Sequence, residues 1–84
     1  MSGDARAAIR QFVVDNFLFG RTDAMPADGE SLQSKGVVDS TGVLELVEFL
    51  EREFGIQVDD ADLVPANLDS VEQLAAFVAR KRSA

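Results

Sequence analysis

Residues 37–47 read VVDSTGVLELV, and the fold turns on how this stretch is parsed. An apolar pair, Val37-Val38, precedes Asp39-Ser40, and from Val43 onward the apolar residues fall into register. Val43, Leu46, Val47, Leu50 and Phe54 stand at i, i+3, i+4, i+7 and i+11, the spacing of a single helix face. This predicts an amphipathic helix from about Ser40 to Phe54, buried along that stripe. Glu45, Glu48 and Arg52 line another face, with Glu51 nearby. Gly55 follows, a residue suited to the left-handed conformation in which helices end.

Working outward, Ile9, Phe12, Val13 and Phe17 repeat the helical spacing near the N-terminus, with Ser2 or Asp4 available to cap and Gly20 to close. From about Gly20 to Val38 the composition turns polar and is punctuated by Gly20, Pro26, Gly29 and Gly36, which reads as a long loop. A loop of that length in a compact domain needs pinning. Leu32 and Val37-Val38 are the expected pins. Ile56-Gln57-Val58 alternates like a strand but has no partner. Asp59–Val64 reads as a short helical turn that Pro65 restricts. A last helix begins at Ser70, with Val71, Leu74, Phe77 and Val78 apolar and Arg80, Lys81 and Arg82 in its final turn. The expected fold is all-α: a four-helix bundle of three principal helices plus one short helix, with a long loop between the first and second helices. Residues 1–84 are read as one domain.

A second Asp-Ser pair, Asp69-Ser70, lies thirty residues after the first. Ser70 as N-cap puts Gln73 at the third helical position, a reciprocal S-x-x-Q capping box that accounts for every residue there. Ser40 differs. As a cap it would face Val43, which returns no hydrogen bond, and Asp39 caps as well without it, its charge also suiting the helix dipole. Ser40 is then the first helical residue, with a hydroxyl surplus to capping. The N–H groups at that end favour a phosphate, and a phosphodiester or ordinary phosphorylation fits equally well. Gly42 weakens the first turn but leaves its backbone open to close approach.

Composition narrows the function. The chain has no Cys, His, Tyr or Trp, which argues against a disulfide scaffold, a zinc site or a self-contained hydrolase. A net charge of −7 argues against nucleic acid and anionic membranes and favours either a basic protein partner or simply solubility. No apolar run reaches the length of a membrane span, and MSGDARAAIR lacks a signal-peptide core, so the expectation is a soluble cytoplasmic protein. Asp59-Asp60-Ala61-Asp62 lacks the ligand alternation and closing Glu of a calcium loop, and no metal site is expected.

The order helix, long loop, Asp-Ser, acidic helix, short turn, final helix resembles the acyl carrier proteins. The matching stretches are GVVDSTGVLELVEFLEREFGIQV and DSVEQLAAFV. The resemblance implies that Ser40 carries 4′-phosphopantetheine, attached as a phosphodiester by a phosphopantetheinyl transferase using coenzyme A. The arm's thiol then holds an acyl group as a thioester, which suits a carrier that has no Cys of its own. Asp39 would help the transferase position the serine, and any Mg²⁺ would belong to that complex. The protein would be a non-catalytic, monomeric carrier. Its partners would be the transferase, an acyl- or aminoacyl-loading ligase, and downstream synthase or transferase enzymes with basic docking patches. Glu45, Glu48 and Glu51, with Asp39, would present charge to them, beside Thr41 and Gly42. Carriers of this kind can also lodge an acyl chain between helices, along a stripe such as Val43, Val47, Leu50 and Phe54.

Thr41-Gly42 departs from the usual Asp-Ser-Leu followed by an acidic residue. Val38-Asp39 lacks the two glycines that precede the serine motif in peptidyl carriers. The Ser-Thr-Gly pattern is more similar to stand-alone carriers of specialised fatty-acid, polyketide or related pathways, some loaded with amino acids. The competing class is an acidic helical adaptor in which Ser40 is a cap or phosphosite.

Overall fold

The computed structural model describes residues 2–83, and the side chains of residues 5–82. Four helices follow in order: α1 (Ser2–Phe17), α2 (Ser40–Phe54), α3 (Pro65–Leu68) and α4 (Val71–Ser83). Short 3₁₀ turns stand at Thr22–Ala24 and Asp60–Asp62. No strand occurs among the described residues, and Ile56–Val58 is irregular chain between α2 and the Asp60–Asp62 turn. The cap proposed for α1 at Ser2 or Asp4 lies outside the described side chains.

The core is where the helical stripes meet. Ile9 and Val13 of α1, Leu46 and Leu50 of α2, and Val71, Leu74, Phe77 and Val78 of α4 are all buried. Full burial of each such side chain stabilises the fold by about 1.5–3 kcal/mol. The α2 stripe is nevertheless centred differently from its sequence pattern. Val43, Val47 and Phe54 are half-buried, whereas Phe49, outside the pattern, is buried. The reason is aromatic: the Phe12 ring stacks on Phe49, centroids 4.2 Å apart, and Phe54 meets Phe49 edge-on at 6.0 Å.

Phe12 therefore pairs with Phe49, while five residues on Phe17 reaches Gly42. A Cβ built on Gly42 would lie 2.8 Å from the Phe17 ring and 3.0 Å from Val38. The two contacts run antiparallel and seat the end of α1 on the start of α2. Gly42 is buried there, and the close approach its backbone permits is made by Phe17 and Val38.

The loop of residues 18–39 is pinned as its sequence suggests. Leu32 and Val38 are buried, with Val37 half-buried beside them. Hydrogen bonds complete the attachment. The Leu32 N–H donates to the Asp69 carbonyl at 2.7 Å, and the Glu72 N–H to the Asp28 carbonyl at 2.9 Å. Arg10 donates to the Asp28 carboxylate at 2.6 Å and to the Pro26 carbonyl at 3.2 Å. A buried backbone carries unsatisfied polar groups unless it is anchored like this.

Pro65 corrects the sequence reading. It opens α3 as the first helical residue, where its missing N–H costs nothing and its fixed φ already suits a helix. The turn at Asp60–Asp62 and α3 are thus two pieces, separated by Leu63, over which the Val64 N–H donates back to the Asp62 carbonyl at 2.8 Å, and by Val64, which is extended.

Gly42→Ala sets two effects against each other. Helix propensity favours alanine by about 1 kcal/mol, while overpacking at such a contact costs about 1–3 kcal/mol. We expect a net loss near 1 kcal/mol, read as a lower urea midpoint. A raised midpoint would show that Phe17 moves aside freely.

Candidate functional site

The two Asp-Ser pairs do different work. At α2, Asp39 is the N-cap: extended backbone, with its carboxylate accepting the Gly42 N–H at 2.8 Å. Ser40 is the first residue of α2 and is exposed. No group among the described residues hydrogen-bonds to its hydroxyl, and the Ser40 and Thr41 N–H groups also lack partners there, as expected in a first helical turn.

At α4 the hydroxyl is consumed. Ser70 is buried, and its Oγ accepts the Gln73 N–H at 3.1 Å. The capping box expected there forms only in this direction. Gln73 Oε1 is buried without a partner rather than returning to the Ser70 backbone. Asp69 serves the long loop, accepting the Leu32 N–H on its carbonyl and the Gln33 N–H, at 3.2 Å, on its carboxylate.

Ser40 opens on a groove of about 210 Å³. Val43 of α2 forms one side, and Leu63, Val64, Pro65 and Leu68 the other, with Gln33 and Asp69 as its polar members. None of the residues on the far side was singled out from the sequence as a site residue. Their one signal was Pro65, which starts a helix as readily as it stops one.

The candidate partner-facing residues divide. Thr41, Glu45 and Glu48 are exposed on α2, as is Asp39 at its start. Gly42 is buried under Phe17 and is not open to a partner. Glu51 is partly buried, and its carboxylate accepts the Val58 N–H at 2.9 Å, so it ties the chain after α2 back to the helix. The ion pairs among the described residues do not join Glu48 to Arg52. Leu44, more than half exposed one turn from Ser40, escaped the sequence reading, although its place off the apolar stripe was a signal.

The far wall of the groove is tied to α4 by charge. Lys81 Nζ lies 2.7 Å from Asp62 and 3.3 Å from Asp59, and Arg80 donates to Asn67 at 2.8 Å. The Asp59 N–H also donates to the Asp62 carboxylate, at 3.1 Å. The hydrogen bond from Lys81, then that from Asp59, holds the Asp62 carboxyl below its ordinary range. The Asp62 hydrogen bond in turn raises Lys81. Of the basic residues at the end of α4, Arg80 and Lys81 thus bond to specific groups besides facing the helix dipole.

The residues present fit a covalently attached phosphodiester with a flexible tail: a free hydroxyl, unspent N–H groups at a helix start, and a mostly apolar groove alongside. Comparison with known proteins agrees. The family model described as "Phosphopantetheine attachment site" matches residues 19–78. Over 71 residues the chain is 28% identical to the "Probable acyl carrier protein PigG" of Serratia sp. (strain ATCC 39006), covering 84% of this chain and 80% of that protein. No solved structure matches. Domains of this family are the sites of covalently attached 4′-phosphopantetheine, and acyl carrier proteins are non-catalytic carriers.

The Lys81 tie has a pH signature. Asp62, with its pKa lowered, adds stability above the ordinary carboxylate range, and this is lost as pH falls through the lowered value. Lys81, with its pKa raised, adds stability that persists until pH rises past the ordinary lysine range. Lys81→Met should therefore lower the melting temperature at pH 7, and the gap to wild type should close as pH drops below about 4. A gap independent of pH would assign the residue's role to packing on the Phe77 ring, 5.8 Å away. The chain belongs to the acyl carrier protein family.

Proposed function

We propose that Ser40 is the residue that bears the 4′-phosphopantetheine arm, and that the protein is a stand-alone carrier of acyl or aminoacyl thioesters. The observation that supports this assignment is the contrast between the two serines. Ser40 is exposed and unbonded at the mouth of a groove, whereas Ser70 is buried and engaged.

In this reading each chain residue has a task. Asp39 fixes the first turn of α2 without using the Ser40 hydroxyl. The N–H groups of Ser40 and Thr41 face the phosphodiester and favour its negative charge. The bound arm supplies the thiol that holds the cargo as a thioester. Val43, Leu63, Val64 and Leu68 offer that arm or a short acyl group an apolar resting place. Docking then makes each transfer effectively intramolecular.

Asp39, Glu45 and Glu48 present the negative charge to basic patches on the transferase, the loading ligase and downstream synthase or transferase enzymes. Such charges chiefly set encounter rate and orientation. Glu51 contributes to the helix connection instead. The protein works as a monomer in the cytoplasm, in a specialised fatty-acid, polyketide or related pathway. Thr41 is the residue that supports the specialised pathway, since Gly42 has its own explanation in Phe17.

Incubation with coenzyme A and a broad-specificity phosphopantetheinyl transferase should add the mass of one phosphopantetheine. Ser40→Ala should abolish the gain and Ser70→Ala should keep it, although with a lower melting temperature, since losing a cap costs about 1 kcal/mol. An unmodified wild type would leave an acidic adaptor as the better description. Raising salt should weaken docking of the transferase, read as a higher KM, and Glu45→Lys should raise KM further. Insensitivity to both would remove the acidic face from the recognition surface.

A further inference from the structure

Phe19 combines two costly features. It is 90% exposed, the most exposed of the large apolar side chains among the described residues, and it holds a left-handed backbone with φ of 54°. A lone exposed aromatic is ordinary. A bulky residue in the region that glycine occupies freely is not, and such strain clusters where a surface has a task. The chain has glycine in this conformation at Gly20, the next residue, as well as at Gly36 and Gly55. At position 19 it instead projects a ring into solvent.

Its place in the fold gives the ring a direction. The pairs Phe12 with Phe49 and Phe17 with Gly42 set α1 and α2 antiparallel, with contacts moving toward Ser40 as α1 advances. Phe19 follows two residues beyond Phe17, just past the end of α1 that packs on the first turn of α2. The turn is fixed there, because the Gly20 N–H donates back to the Val14 carbonyl at 2.9 Å. Any enzyme that reaches the Ser40 hydroxyl must approach this end of the molecule.

We propose that Phe19 is an apolar docking anchor for the enzymes that act at Ser40, which would receive its ring in an apolar pocket bordered by basic residues. The charge pattern selects that partner. Asp39 and Glu45 are exposed at the Ser40 end of α2 and Glu48 at its middle, while Arg21, beside the anchor, is already paired with Asp23 at 3.5 Å. The surface is thus an aromatic knob beside a negative face. An aromatic side chain that fills a partner pocket is the type of residue that dominates interface energies. The inference rests on Ser40 being the modified residue.

The phosphopantetheinyl transferase assay with coenzyme A tests it. Phe19→Gly should leave the melting temperature unchanged or raised, because glycine relieves the left-handed strain. The same variant should raise KM for the carrier about tenfold with kcat within about twofold, and Phe19→Leu should fall between. A merely structural residue would lower stability along with activity. Modification of wild type with KM unchanged in Phe19→Gly overturns the anchor alone, whereas an unmodified wild type overturns the Ser40 assignment and the anchor together. A wild type that sediments as a dimer, a Phe19→Gly variant that is monomeric and an unchanged KM would likewise overturn it, giving the ring to a second copy of this chain.

Discussion

The contact between the Phe17 ring and Gly42 organises the Ser40 end of the molecule. It is possible only because residue 42 lacks a Cβ, which would stand 2.8 Å from the ring. It brings the end of α1 against the start of α2, closes the core over Val38 and leaves the outer side of that first turn free. Glycine is a poor helix former. The packing made possible by its absent side chain offsets that weakness, and Asp39 steadies the turn through a hydrogen bond to the same residue's N–H. Ser40 is thereby relieved of any structural duty.

The same economy of polar groups runs through the rest of the chain. Asp39 caps a helix, Asp69 anchors a loop, and Asp62 ties the far wall of the groove to Lys81. Glu51 holds the segment that leaves α2. A net charge of −7 is therefore not a uniform coat. Several carboxylates are spent on specific N–H or ammonium groups, whereas Glu45, Glu48 and Glu53 stay exposed along α2. Charge that is hydrogen-bonded within the fold contributes less to long-range attraction of a partner than charge left open to solvent.

Much of the architecture was legible in residue spacing. The three principal helices, the αL glycine after α2, and the pins Leu32 and Val38 follow from period, caps and composition, all of which are local. The distinction between Ser40 and Ser70 was also local, because capping joins residues only two or three positions apart. The reciprocal half of the Ser70 box was not. Whether Gln73 turns back depends on what surrounds it, and it is left with a buried, unpaired oxygen. The family match confirms the resemblance carried by the Asp-Ser context, and with it the cofactor class.

The sequence by itself determined which segments are helical, which serine is free of capping, and the all-α class, because each depends on neighbours along the chain. Tertiary structure decided the remainder. Phe49 became core because Phe12 stacks on it, Gly42 became a packing site because Phe17 lies there, and Glu51 turned inward to Val58. Pro65 began a helix, and Leu63, Val64 and Leu68 came to face Ser40 across a groove. These outcomes share one physical reason. Side-chain packing and long-range hydrogen bonds join residues far apart in sequence, and a local pattern shows that a residue is apolar or acidic, not what it will meet.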